Sequence, residues 1–201
     1  MKKFLVTLLL FVLTLPALAQ NTILIIGDSI SAGYGIDPKQ GWAALLQQRL
    51  KDEKYDYQVV NASISGDTTS NGLGRMPAAL KQYQPQITII ELGGNDGLRG
   101  LQLFVIKNNL QQMVGLAQAA GSKVLMLGVR MPPNYGPAYT QQFQQMYADI
   151  AEDSSVSLVP LFLKGVDDHP ELMQDDRIHP VAAAQSILLN NVWPALEKLL
   201  K

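Results

Sequence analysis

The chain has no cysteine and only two histidines among its 201 residues. The first absence excludes disulfides, thiolate nucleophiles, cysteine metal sites and a lipid-modified cysteine. The second leaves a catalytic zinc site little to build on, so no metal is expected. Charge is also scarce, at 16% of residues with a net charge of −1, and acids and bases are scattered along the chain. No basic stripe exists to grip a phosphate backbone, which removes nucleic acid from the expected partners. Nucleotide signatures are missing too: Gly33-Tyr34-Gly35 lacks the third glycine of a dinucleotide fingerprint, and no GxxxxGK[ST] loop occurs.

Long apolar runs are likewise absent. The stretch from Phe4 to Leu15 covers 12 residues, short of the roughly 20 that span a bilayer. Preceded by Lys2 and Lys3 and followed by Pro16 and Ala17-Leu18-Ala19, it reads as a secretory signal peptide over residues 1–19 with an A-x-A cleavage site. Cleavage leaves a chain of net charge −3, because residues 1–19 hold two lysines and no acid. The expectation is a periplasmic or secreted protein with no stable membrane anchor, monomeric, with residues 20–201 as one domain.

What remains is strongly patterned. Short runs rich in Val, Ile and Leu, at Thr22–Ile26, Gln58–Asn61, Gln86–Leu92, Lys123–Gly128 and Ser157–Val159, predict five strands buried on both faces. Helical patterns fall between them, over Trp42–Lys51, Thr69–Gln82, Pro137–Glu152 and Val181–Leu200. The clearest is Leu103, Ile106, Leu110, Met113 and Ala117, whose steps of three and four give one apolar face. Alternation of this kind predicts an α/β fold with a parallel sheet covered by helices on both sides.

Four places carry chemistry. Gly27-Asp28-Ser29-Ile30-Ser31 follows the first strand, Ser65-Gly66-Asp67 follows the second, Gly93-Gly94-Asn95-Asp96 follows the third, and Asp176-Arg177-Ile178-His179 precedes the last helix. In a parallel sheet the first three gather at the carboxyl edge, where ligands bind. A serine hydroxyl needs a base, so Ser29 requires a histidine. His179 is the better candidate, with Asp176 three residues before it and Asp175 four before as possible orienting acids. His169, beside Asp167, Asp168 and Pro170, reads as a solvated loop residue. The Ser29 amide, the Gly66 amide and the Asn95 side chain would supply donors for an oxyanion. Taken singly, each has a plainer reading, with Ser29 and Asp67 as helix caps and Asn95 as a loop stabiliser. Their joint occurrence, in order, on a βα background favours a site.

The same blocks resemble those of the SGNH hydrolases, also called the GDSL esterase and lipase family. The similarity extends through Asn61-Ala62-Ser63-Ile64-Ser65-Gly66-Asp67-Thr68, Glu91 to Gly100 and Met173 to Asp176, covering essentially the whole mature chain. It implies a flavodoxin-like three-layer α/β/α sandwich with a five-stranded parallel sheet. It also implies Ser29 as nucleophile, His179 as base, Asp176 rather than Asp175 as its partner, and Gly66 with Asn95 in the oxyanion hole. The activity implied is hydrolysis of acyl esters and thioesters (lysophospholipid, aryl ester or acyl-CoA) through an acyl-enzyme, with no cofactor. The resemblance departs at Arg177, where glycine is usual, and at Arg130-Met131-Pro132-Pro133, a loop associated with acyl binding. Leu98, Met131, Pro132, Pro133 and Ile178 are the expected acyl-groove residues. Two other readings use the same scaffold, a carbohydrate acetyl esterase and a non-catalytic binding protein. The rival α/β-hydrolase elbow, G-x-S-x-G, is excluded by Ser31 at its fifth position.

Overall fold

The computed structural model describes residues 21–200. The expected signal peptide at 1–19 lies outside the described residues. Five parallel strands form one sheet: β1 (Asn21–Gly27), β2 (Tyr57–Asn61), β3 (Ile87–Glu91), β4 (Lys123–Leu127) and β5 (Ser157–Val159). Their order is β2-β1-β3-β4-β5, the flavodoxin-like arrangement, with its switch point between β1 and β3.

Both faces of the sheet are buried, and the period of two along each strand decides which side chain goes where. In β1, Ile23 and Ile25 join Trp42, Leu46 and Leu50 of α2 (Trp42–Asp52) and Leu188, Val192 and Leu196 of α7 (Gln185–Glu197). Leu24 and Ile26 face the other way, onto Met76 and Leu80 of α3 (Thr69–Tyr83), Ile106, Leu110 and Met113 of α5 (Leu103–Ala119), and Phe143 and Ile150 of α6 (Pro137–Asp153). The result is the three-layer sandwich. The predicted apolar stripe of α5 is the buried one, with Ile106, Leu110, Met113 and Ala117 fully enclosed.

Three helices differ from expectation. The closing helix does not begin at Val181: a 3-10 turn at Ala182–Ala184 precedes it and α7 stops at Glu197. Two single-turn helices, α1 (Ser29–Ala32) and α4 (Gly94–Leu98), were absent from the sequence reading, because one turn is too short to show a period of 3.6. Both sit at the carboxyl edge of the sheet, after β1 and β3, and both carry site residues.

Candidate active site

The turn that carries Ser29 is built by Asp28, not by Ser29 itself. Asp28 caps α1, its Oδ1 accepting the Ile30 amide at 3.0 Å, and Gly33 ends the helix at φ +76°. Ser29 is thus the first helical residue, its amide a first-turn donor without an acceptor among the described residues and its hydroxyl directed at the His179 ring. Gly27 is obligatory here, since a Cβ would come within 2.9 Å of Ser31, Ser63 and Glu91 side-chain atoms together. The cap of α3 is likewise Thr68, whose Oγ1 accepts from the Asn71 amide. Asp67 instead pairs with Arg75 Nε at 2.7 Å. The other guanidinium nitrogens of Arg75 donate to the carbonyls of Ala62 and Gly27, tying the ends of β1 and β2 together.

His179 comes from a loop pinned as a hairpin. Met173 and Pro180 form an antiparallel bridge, the Gln174 amide donates to the His179 carbonyl at 2.7 Å, and Gln174 Nε2 reaches both Tyr34 and Pro180 carbonyls. Within the loop, one Asp176 oxygen accepts the backbone amides of Ile178 and His179. The other lies 2.6 Å from His179 Nδ1. His179 Nε2 then lies 2.8 Å from Ser29 Oγ. Tyr34 covers the imidazole, with ring centroids 4.5 Å apart. Desolvation raises the Asp176 carboxyl, but the His179 bond and the two amides outweigh it and hold its pKa down at about 2. Neither His169, paired with Glu171 at 3.2 Å, nor Asp175 joins this chain.

The other expected oxyanion donors come from the segments that follow β2 and β3, the two strands flanking β1. Gly66, at φ +83°, carries an amide without an acceptor among the described residues. Asn95, in α4, spends both amide hydrogens: Nδ2 donates to Asp28 Oδ2 and to the Asp67 carbonyl, each at 3.0 Å. Asp28 is 3% exposed. Burial pushes its pKa up to about 6, against the lowering effect of the Ile30 and Asn95 bonds and of His179. Behind it, Glu91 is fully buried, and desolvation with the Asp28 charge raises it well above the ordinary carboxyl range. Its Oε2 accepts the Ser31 hydroxyl at 2.7 Å, and Trp42 Nε1 donates to the same hydroxyl.

A cavity of about 650 Å³ opens onto Ser29 and His179. All five residues expected to line an acyl groove, Leu98, Met131, Pro132, Pro133 and Ile178, border it. Val129, Leu163 and Met173 add apolar wall that the sequence reading did not include. The sequence reading also assigned no role to Asp28, Glu91, Arg75 or Gln174. Asp28 stood inside the quoted block, but nothing local distinguishes a buried cap from a solvated one. Among the described residues, no group of three or more His, Asp or Glu is placed to hold a metal ion.

A family model described as GDSL-like lipase/acylhydrolase matches residues 25–187. The chain belongs to this family. As a GDSL-family serine hydrolase it has near relatives over its full length. It is 54% identical over 193 residues to the esterase TesA of Pseudomonas aeruginosa, covering 96% of both chains. Identity is 43% over 192 residues to thioesterase 1/protease 1/lysophospholipase L1 of Escherichia coli strain K12, covering 96% of this chain and 91% of that one. The crystal structure of the psychrotrophic esterase EstA from a Pseudoalteromonas species, inhibited by monoethylphosphonate, superposes with a TM-score of 0.84 at 39% identity. It covers 89% of this chain and 97% of that one.

Proposed function

We propose that this GDSL hydrolase is an exported esterase and thioesterase that cleaves acyl esters through an acyl-enzyme on Ser29. The observation that carries the reading is the unbroken relay from Asp176 Oδ2 to His179 at 2.6 Å and from His179 to Ser29 Oγ at 2.8 Å. Ser29 Oγ attacks the acyl carbonyl while its proton passes to His179 Nε2. The bond from acyl carbon to leaving oxygen or sulfur then breaks, and the same proton leaves with the alcohol or thiol. Water repeats the sequence: its proton goes to His179, its oxygen to the acyl carbon, and Ser29 recovers the proton as the carboxylic acid departs. The amides of Ser29 and Gly66, without acceptors among the described residues, are donors for the oxyanion. Asn95 is the third, on condition that one of its two existing bonds is shared or exchanged.

The size and apolar walls of the cavity support a fatty acyl group over acetyl, and hence a lipid ester over an acetylated sugar. The relatives' names, esterase and thioesterase/lysophospholipase, support the same class. Export rests on the charged and apolar N-terminal pattern. Exposing the folded protein to a fluorophosphonate probe tests the nucleophile: Ser29 becomes labelled and Ser29→Ala does not. Absence of labelling at Ser29 would end the proposal. A panel of aryl and lysophospholipid esters of increasing acyl length, run beside acetylated sugars, tests the substrate class. Preference for the sugars would overturn the lipid reading.

A further inference from the structure

Arg177 is unlike every other arginine of the chain. Among the described residues, Arg49, Arg75 and Arg130 are held in ion pairs with Glu53, Asp67 and Asp167, and Arg99 donates to the Gly66 carbonyl. The Arg177 guanidinium has neither a hydrogen bond nor an ion pair with any described residue. Its backbone is also singular. Four non-glycine residues have φ between +43° and +63°, namely Lys54, Gln84, Ser155 and Arg177. The first three stand just past the ends of α2, α3 and α6, where the left-handed conformation closes a helix. Arg177 (φ +58°) closes no helix. It sits between Asp176 and Ile178 in the histidine loop, exposed, on the wall of the cavity that holds Ser29 and His179. A left-handed conformation that glycine would adopt freely is here occupied by a long cation.

The reaction fixes what faces it. The group that departs takes its proton from His179 Nε2, so the leaving group lies against the imidazole, while the acyl chain occupies the apolar wall. One side of that ring is covered by Tyr34. Arg177 and Ile178 are the exposed residues immediately before it, and both border the cavity. Nearby acids do not cancel the cation by contact: Asp176 is committed to His179 and two amides, and Asp167 to Arg130. Asp168 borders the same cavity, its Oδ1 3.9 Å from His169 Nε2, and Asp175 is exposed, so the local field is mixed. Recognition must therefore come from a short-range guanidinium contact rather than from long-range steering.

Resting on the proposed esterase reading, we infer that Arg177 binds a phosphate carried by the leaving group and so makes the enzyme selective for acyl esters or thioesters of phosphorylated alcohols and thiols. Guanidinium and phosphate match in geometry and charge, and the other cavity arginine, Arg130, is already neutralised. A glycerophosphodiester and a nucleotide-bearing thiol both fit this chemistry.

Two substrate pairs of equal acyl length test the inference on the full chain. One sets a lysophosphatidyl ester below its micelle concentration against the phosphate-free monoacylglycerol. The other sets the coenzyme A thioester against the N-acetylcysteamine thioester. Arg177→Gly and Arg177→Asn both accept a positive φ, so neither substitution strains the loop. In both variants the ratio of kcat/KM, phosphorylated over phosphate-free, falls by about five- to tenfold, mainly through KM, and Arg177→Lys restores part of it. A fall in one pair alone identifies the phosphate carrier. Ratios unchanged in both pairs, or parallel losses on all four substrates, overturn the inference. Failure of wild type to hydrolyse any of the four would instead strike the esterase reading.

Discussion

Two aspartates flank Ser29, and the fold drives them in opposite directions. Asp28 immediately precedes Ser29 and is 3% exposed, its pKa pushed up to about 6 by loss of water. Asp176 lies at the rim with its side chain 40% exposed. It is held at about 2, because the His179 ring and two backbone amides outweigh its partial desolvation. The residue type is the same and so is the neighbourhood, yet one carboxyl resists ionisation and the other embraces it. The difference lies in the number of donors set against the water removed. Asp176 has three hydrogen bonds and keeps much of its hydration, so it can stay charged while an imidazolium forms beside it. Asp28 has two donors and the buried Glu91 behind it, so its charge is costly and its work is geometric: it caps α1 and holds the Asn95 amide.

Breaking the exposed side of this comparison has the largest expected effect. Asp176→Asn should lower kcat on the order of 10⁴-fold in steady-state assays, by loss of the acceptor that orients His179. Asn95→Ala should lower kcat by roughly 10²- to 10³-fold, as for one oxyanion donor. Asp28→Asn sets an amide against the Asn95 amide and should cost on the order of ten- to a hundredfold in kcat with little change in KM. A loss equal to that of Asp176→Asn would mean that Asp28 acts on more than Asn95.

The stability of the two sites should depend on pH with opposite signs. A carboxyl raised from its ordinary value of 3.8 to about 6 binds more proton in the folded state. Asp28 therefore contributes stability below pH 4 that is lost as pH rises through 6, on the order of 3 kcal/mol. Asp176, lowered to about 2, contributes stability above pH 4 that is lost as pH falls through 2. Denaturant titrations of wild type, Asp28→Asn and Asp176→Asn at pH 3, 5 and 7 check both slopes. If wild type gains on Asp28→Asn between pH 4 and 6, the buried assignment is wrong. The smallest effect belongs to Asp175→Asn, which should leave kcat within about twofold, since Asp175 touches no member of the relay.

Legibility followed the scale of the interaction. The strands could be read because each is apolar along its whole length, as at Ile23 to Ile26, where alternate residues serve opposite cores. That same uniformity hid which face each residue takes. The long helix α5 declared its buried stripe by spacing, whereas α1 and α4 are too short to have one. Ser29, Asn95, Asp176 and His179 stood out as candidates from their residue types and order. Asp28 and Glu91 did not, because their significance is burial, and burial depends on Trp42, Asn95 and Ser31 arriving from elsewhere.

The chain's own order determined the alternating βα architecture, the presence of a serine, an acid and a histidine in that order, and the exclusion of thiol and nucleotide-loop chemistry. These follow from local pattern and from composition. Only tertiary structure decided that residues 150 positions apart meet at 2.8 Å, that Asp28 rather than Ser29 caps the first turn, and that Arg177 borders the cavity with its guanidinium unpaired among the described residues. Hydrogen bonds, desolvation and unpaired charge depend on distances between segments, and those distances exist only once the sheet has closed its β2-β1-β3 order around the site.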